Sequence, residues 1–171
     1  MKPLSFPALL LLVVLISGAC KKIPVINQTN SNISFKIDGA SKAAKGDKNV
    51  FAVFIKDHNL VQINGNLNAS AEEEIGLSIN NFHGLGEYTT EADFLAVYNT
   101  PELDASVIGV EGKIKITEYT AGKSIKGEFQ FTGQVAVIKI GTDEEVIETR
   151  IFSEGKFQSK ITDYSGPILT P

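Results

Sequence analysis

The sequence predicts an all-β domain of about ten strands. Three observations lead to this fold class. From Asn32 onward, apolar residues alternate with polar ones, which is the period of a half-buried strand. No stretch repeats apolar residues at helical spacing over three turns, as a stable helix requires. Turn-forming pairs such as Asp38-Gly39 separate the alternating stretches at short intervals.

The first half of this region contains five predicted strands. Val50–Ile55 is almost wholly apolar, which predicts a strand buried on both faces or covered at its end. The other four strands are marked by alternating apolar residues, namely Ile33, Phe35 and Ile37; Val61, Ile63 and Leu67; Ile75, Leu77 and Ile79; and Phe94, Ala96 and Tyr98.

The second half contains five more predicted strands, with turns at 120–124 and 153–155. They cover Ile114 to Tyr119, Ile125 to Phe131, and the ranges 135–140, 145–152 and 156–161. In the strand over 127–132, alternation predicts that Phe129 and Phe131 lie in the core while Glu128 and Gln130 face water.

Glycines inside strand patterns leave the arrangement of the sheet open. Asn64-Gly65 is typical of a two-residue hairpin, but a turn there would split 60–68 into two stubs. We therefore expect one strand, with Gly65 at a bulge or a close backbone approach, and the same for Gly112 and Gly127. Such glycines allow sharp bending, so both an antiparallel two-sheet sandwich and a closed barrel fit the pattern.

The N-terminus is typical of a bacterial lipoprotein precursor. Lys2 and a nine-residue apolar run over 8–16 fit a secretory signal peptide that is too short to span a membrane. Gly18-Ala19 before the single cysteine, Cys20, resembles a lipobox, which implies cleavage after residue 19 and lipid on Cys20. The alternative is a plain signal peptide followed by an unpaired thiol. The predicted organisation is a signal peptide at 1–19, a lipidated cysteine and tether at 20–32, and one all-β domain at 33–171.

Composition and charge exclude several classes of function. A net charge of −4 argues against nucleic-acid binding, which needs a clustered basic surface. One cysteine and two histidines, His58 and His83, argue against a metal site, and no cofactor is predicted. The acidic runs at 72–74 and 143–145 lack the spacing of a calcium loop, and they are typical of solvated turns that discourage edge pairing.

Catalytic motifs are missing or fall in the wrong setting. There is no Gly-x-Ser-x-Gly nucleophile elbow. Ser153 and Lys156 match Ser-x-x-Lys without its companion motifs, and Gly155 between them suits a hairpin turn. Gly122-Lys-Ser124 resembles the end of a phosphate-binding loop but lacks the first glycine and leads into a strand. The sequence therefore predicts no catalytic residues.

The predicted binding loop covers residues 80–88. Asn80, Asn81, His83 and Tyr88 offer polar and aromatic contacts there, to a protein or a glycan, and glycines allow close backbone approach. The alternative is that the glycines only turn the chain while the asparagines satisfy its backbone.

Several segments together resemble a family of Bacteroidota cell-envelope lipoproteins with an all-β domain of unknown function. The chain lacks the tryptophan that members often carry after the Asp-Gly turn. The segments are Phe35-Lys-Ile-Asp-Gly39, Leu77-Ser-Ile-Asn-Asn-Phe82, Gly112-Lys-Ile-Lys-Ile-Thr-Glu118, Lys126-Gly-Glu-Phe-Gln-Phe-Thr132 and Ser153-Glu-Gly-Lys-Phe157.

The resemblance implies an envelope lipoprotein and carries no catalytic residues. The predicted function is thus a membrane-anchored, non-catalytic module that binds a ligand or partner, and the alternative is a lipid-anchored hydrolase with an unrecognised site. In such bacteria, surface display is associated with acidic residues after the lipidated cysteine. Lys21-Lys22-Ile23-Pro24 has none, which favours the periplasmic face.

Overall fold

The fold is all-β, as the sequence predicts. The computed structural model describes residues 30–68, 72–103, 105–139 and 144–165. Within these ranges the chain forms ten strands and one single-turn 3-10 helix at Lys56–His58. The predicted signal peptide, the lipidation site Cys20 and most of the tether lie outside the described residues.

The strands are numbered in chain order. Their bounds are β1 Asn32–Ile37, β2 Ala40–Lys45, β3 Val50–Ile55, β4 Leu60–Asn66, β5 Glu74–Ile79, β6 Gly86–Thr89, β7 Phe94–Asn99, β8 Val107–Thr120, β9 Ser124–Lys139 and β10 Glu144–Tyr164.

All ten strands belong to one continuous sheet. Following the backbone pairings from β10 through β3, β4, β5, β7, β8 and β9 leads back to β10, so these seven strands form a closed circuit of neighbours. The β10–β3 pairing is parallel, and the other described pairings are antiparallel. The β1–β2 hairpin is attached to the free side of β10, and β6 is attached to β8.

The core lies inside this circuit and is dominated by aromatic rings. Phe35 on β1 reaches across it, and its ring centroid lies 6.2 Å from Tyr98 on β7, 6.0 Å from Phe129 on β9 and 5.9 Å from Phe152 on β10. Phe131 and Phe152 stack at 4.1 Å between β9 and β10. Because one ring from the hairpin touches rings on three other strands, the hairpin is part of the same core rather than an appendage.

The predicted phase of β9 is confirmed. Phe129 and Phe131 are buried, whereas Glu128 and Gln130 are exposed. The close approaches predicted at glycines are also present. A Cβ on Gly65 would lie 2.6 Å from Ile33 Cγ2, and a Cβ on Gly127 would lie 2.5 Å from the carbonyl oxygen of Lys115.

Two predicted breaks are wrong. β9 continues through the predicted gap at 132–134, and β10 continues through the predicted turn at 153–155. The residues predicted as a turn at 153–155 form a β-bulge within β10, where the register shifts between Phe152 and Gly155. Glu154 takes a left-handed φ of 53°, and Gly155 is buried so tightly that a Cβ would lie 2.5 Å from the Phe129 carbonyl oxygen. The bulge absorbs the extra residue, so the strand bends instead of reversing.

Strands β2 and β6 were not predicted. β2 is an edge strand of alanine, serine and lysine with mostly exposed side chains, so its apolar alternation is weak. β6 has four residues. One alternative predicted for β3, cover at its end, fits Phe54, which packs against Phe82. The other, burial on both faces, is wrong at the start of the strand, because Phe51 is 40% exposed while Val50 and Ala52 are buried. β3 is therefore buried on one face at these positions.

Candidate functional site

The predicted binding loop joins β5 to β6 and is tied to the residue before β7. The N–H of Asn80 donates to the carbonyl oxygen of Asp93 at 2.7 Å, and the side-chain amide of Asn81 donates to the Asp93 carboxylate at 2.8 Å. Asn81 has a φ of 50°, a conformation that asparagine tolerates because its short polar side chain can bond locally. Both asparagine side chains are exposed.

Tyr88 lies beneath this loop rather than on its surface. It is 2% exposed, and its hydroxyl accepts a hydrogen bond from the N–H of His83 at 3.1 Å and donates one to the Gly84 carbonyl at 3.0 Å. Burial raises the pKa of the Tyr88 hydroxyl, and the two backbone hydrogen bonds offset part of that rise. Tyr88 therefore fixes the loop from inside.

The rest of the loop is held by aromatic packing. The Phe82 N–H donates to the Asn59 carbonyl at 2.8 Å, and the Phe82 ring packs edge-on against Tyr119 at 4.9 Å. His83 is exposed, with its ring centroid 4.7 Å from that of Tyr88. The structure thus brings Asn80, Asn81 and His83 together as exposed polar groups on a rigid loop, without Tyr88.

A partly buried ion pair connects β2 to the start of β5. Lys42 Nζ lies 2.5 Å from Glu73 Oε1, and the Tyr98 hydroxyl donates to the same oxygen at 2.6 Å. Burial raises the pKa of the Glu73 carboxyl, but the hydrogen bonds from Lys42 and Tyr98 outweigh it, so the net pKa is lowered. Burial also raises the pKa of Tyr98, and its bond to the Glu73 carboxylate adds to that rise. This cluster holds the β1–β2 hairpin over the core.

A second polar cluster fixes the point where the chain enters the domain. Ser31 is buried, and its hydroxyl donates to Asp47 Oδ1 at 2.7 Å. Lys160 Nζ forms an ion pair with the other Asp47 oxygen. The hydrogen bond from Lys160, followed by that from Ser31, lowers the pKa of Asp47 to about 2. The predicted tether therefore joins the domain at a fixed point beside β10.

The outer face of β7 to β10 carries a group of large apolar side chains, which we call the apolar half. In cross-strand register, Val97, Ile108, Gln134 and Thr149 form one row across the four strands. Ile147 is 59% exposed. The exposed apolar members are Leu95, Ile108, Val110, Ile147 and Ile151.

The three long strands, β8, β9 and β10, carry a different surface at their other end, which we call the charged half. There Glu87, Lys115, Glu128 and Lys156 lie side by side on β6, β8, β9 and β10, so charge alternates across the sheet. Lys113 Nζ also lies 3.0 Å from Glu87. These side chains are about half exposed, so the pairs are solvated.

The sequence predicted β7, β9 and β10 in the apolar half, but neither the start of β8 with Ile108 and Val110 nor the exposure of this face. Alternation marks which residues share a face, but it does not show which face is covered when both faces hold apolar residues, as they do over 145–152. One pattern could have indicated this surface. Alternation is interrupted at Gly109–Glu111, where β8 carries a bulge, and bulges often mark places where a strand turns side chains toward a functional surface.

Comparisons of the chain with protein-family models, with curated proteins and with solved structures find no match. Among the residues that the structure describes, no group of three or more histidine, cysteine, aspartate or glutamate side chains could hold a metal ion. Within the same residues, no helix is long and apolar enough to cross a membrane.

Proposed function

We propose that the chain is a lipid-anchored protein of the bacterial cell envelope whose β domain binds a partner and is not an enzyme. The observation that carries this proposal is the apolar half. Ile147 and Ile151 on β10 are each 59% exposed, and Val110 on β8, with β9 between the two strands, is 48% exposed. Single exposed apolar residues are ordinary, but a group of them on one face is typical of an interaction surface.

The anchoring part of the proposal is supported by the lipobox and by the resemblance to envelope lipoproteins. Ten residues lie between Cys20 and Ser31, whose hydroxyl bonds to Asp47, so eleven Cα–Cα steps join the two. Fully extended, they would span about 40 Å at most. A tether of that reach would let the domain turn either half of its outer face toward a neighbour in the envelope. The absence of acidic residues over 21–24 favours the periplasmic face.

The rigid loop at 80–85 would supply polar contacts in addition. Asn80, Asn81 and His83 are exposed, and the bonds to Asp93 and Asn59 hold the loop without using the His83 side chain. A prepositioned polar loop loses little conformational entropy when it binds.

A matched pair of variants tests partner binding. Ile108→Thr with Ile147→Thr removes two side chains of the apolar half, and Lys115→Thr with Lys156→Thr removes two of the charged half. We expect the first variant to lose the proteins that co-purify with wild type after cross-linking in the native host. The second variant should retain them. Equal partner sets in all three samples would contradict the proposal.

Anchoring is tested separately by Cys20→Ala. Wild type should label with palmitate and partition into the detergent phase, and the variant should do neither. An unlabelled, aqueous wild type in its native host would contradict lipid attachment and leave partner binding to the previous experiment.

A further inference from the structure

We infer that the apolar half binds its partner by strand addition. It takes onto the open edge of β10 an extended peptide whose outward-facing residues, every second one, alternate between apolar and basic. This inference rests on the proposed function only in treating the apolar half as a binding surface. It adds the backbone geometry and the charge of the partner.

The open edge lies at the start of β10. Over 152–158 this strand has neighbours on both sides, β9 and β1, whereas over 144–150 its described pairing is with β9 alone. The edge begins just past Ile151, whose N–H donates to Asp38 Oδ1 at 2.9 Å and whose carbonyl accepts from the Asp38 N–H at 3.0 Å. These two bonds end the coverage by the β1–β2 hairpin.

Strand geometry shows which backbone groups the edge offers. Backbone N–H and C=O groups of alternate residues point to the same side of a strand. Because Ile151 directs both groups away from β9, Thr149, Ile147 and Glu145 direct theirs the same way. No described residue accepts or donates at these positions across that edge. A strand laid here would form a further ladder, as in peptide recognition by strand addition.

The charge of the edge identifies the partner. Glu145 lies on this edge with an exposed side chain on the outer face, and the structure shows no ion pair to it within its described residues. Among the described side chains of β10 over 145–151, the positively charged one is Arg150. It already forms ion pairs with Glu148 at 2.6 Å and with Asp38 at 3.3 Å. A second copy would bring acidic edges together, whereas a basic peptide would be attracted.

The side-chain pattern of the peptide follows from the register. On the outer face, a strand beside β10 would lie against Glu145, Ile147 and Thr149 in turn. A basic residue two positions from an apolar one would therefore meet Glu145 and Ile147 together. An eight-residue probe with two repeats of Val-Thr-Lys-Thr, acetylated and amidated, has this pattern. The matched control replaces lysine by glutamate.

The experiment measures binding of the two labelled peptides to the full chain, purified in detergent, by fluorescence anisotropy. We expect the lysine peptide to bind at least about tenfold more tightly than the glutamate peptide. Thr149→Pro removes an N–H from the open edge without touching the ladder to β9, and it should weaken binding about tenfold. Thr149→Val keeps the N–H and should bind like wild type.

A second variant keeps the test independent of proline. Glu145→Lys should reverse the preference and favour the glutamate peptide. Absence of binding by the lysine peptide, equal binding of both peptides, or indifference to Thr149→Pro would overturn the inference. Self-association of wild type that Thr149→Pro abolishes would identify a second copy as the occupant and would also overturn it. The proposed function is tested separately. If Ile108→Thr with Ile147→Thr still loses the cross-linked partners in the native host, partner binding by the apolar half stands even when strand addition is disproved.

Discussion

The two halves of the outer face share β8, β9 and β10 but differ in the strands that flank these three. In the charged half, β6 covers one side of β8 and β1 covers one side of β10. Charge alternates there from Glu87 to Lys156, and the side chains are solvated. In the apolar half, the edge of β10 has no second neighbour among the described strands, and Ile147 is exposed. The half with the open edge is therefore the one with the apolar surface.

An open edge beside an exposed apolar surface is unusual, because sheets normally protect their edges from pairing with other chains. An open edge in a monomer is normally blunted by charge and by short strands, because an apolar edge invites pairing with another chain. Here Glu145 and Glu148 supply some charge, but Val146, Ile147 and Ile151 accompany them. A surface that keeps both an open edge and exposed apolar residues is better explained by a partner than by solubility.

The largest expected effect is a loss of stability in two core variants, which tests whether the two halves share one core. Phe129 lies beneath the charged half and Phe152 beneath the apolar half, and Phe35 contacts both rings at 6.0 and 5.9 Å. Phe129→Ala and Phe152→Ala should each lower the free energy of unfolding by about 3–5 kcal/mol in a single cooperative transition. Denaturant titration measures this. Two separate transitions would show that the halves fold independently. The control is Gln130→Ala, an exposed position on β9, which should lower the free energy of unfolding by less than about 0.5 kcal/mol.

The next effect concerns the bulge that lies between the two halves. Gly155→Ala places a methyl group against the Phe129 carbonyl oxygen and should cost about 1–3 kcal/mol, because that backbone must shift. Gly76→Ala is the matched control within a strand. Its Cβ would meet Asn64 Oδ1 at 3.6 Å, an ordinary contact. Thermal unfolding of the two variants compares them, and an equal loss would contradict the close approach at Gly155.

A smaller effect contrasts a partly buried ion pair with the exposed pairs of the charged half. Glu73→Gln should cost about 1–2 kcal/mol at neutral pH, because Glu73 accepts from both Lys42 and Tyr98. The folded-state pKa of Glu73 is lowered, so its contribution is present above the unfolded pKa and is lost as pH falls through the folded pKa. The difference between wild type and variant should therefore disappear in acid.

The control for that experiment is Glu128→Gln in the charged half. Glu128 lies 4.0 Å from Lys156 and its side chain is 58% exposed, so its removal should change stability little at any pH. A pH-independent difference between wild type and Glu73→Gln would show that the Glu73 charge contributes nothing to folding.

The smallest effects test both halves of the outer face directly. Ile147→Thr in the apolar half and Lys156→Ala in the charged half should each change the free energy of unfolding by less than about 0.5 kcal/mol. Ile147 is mostly exposed, and threonine keeps the β-branched shape that strands favour. Ile147→Thr should instead reduce binding of an apolar dye, and Lys156→Ala should not. Destabilisation by Ile147→Thr would mean that this side chain packs within the fold.

Alternation predicted most of the strands and the inward phase of Phe129 and Phe131, because burial on one face imposes a period of two. It failed where local composition and tertiary pairing disagree. Residues 153–155 resemble a turn, yet Gly155 is buried against Phe129, and β9 pairs with β10 on both sides of the bulge. The loop residue Tyr88 was predicted at a surface, but its hydroxyl bonds to the loop from below. Which outer face stays exposed depends on β1 and β6 pairing far along the chain, and no local pattern records that.

The central claim, that the apolar half is the binding surface, is tested most directly by two glutamines on β9. Gln134 lies between Ile108 and Thr149 in the apolar half, and Gln130 lies beside Lys113 in the charged half. Both are exposed on the same face of one strand. A photo-cross-linking amino acid placed at each position in turn, in the native host, should give adducts at Gln134 and few or none at Gln130. Adducts at Gln130 alone, or equally at both, would contradict the account.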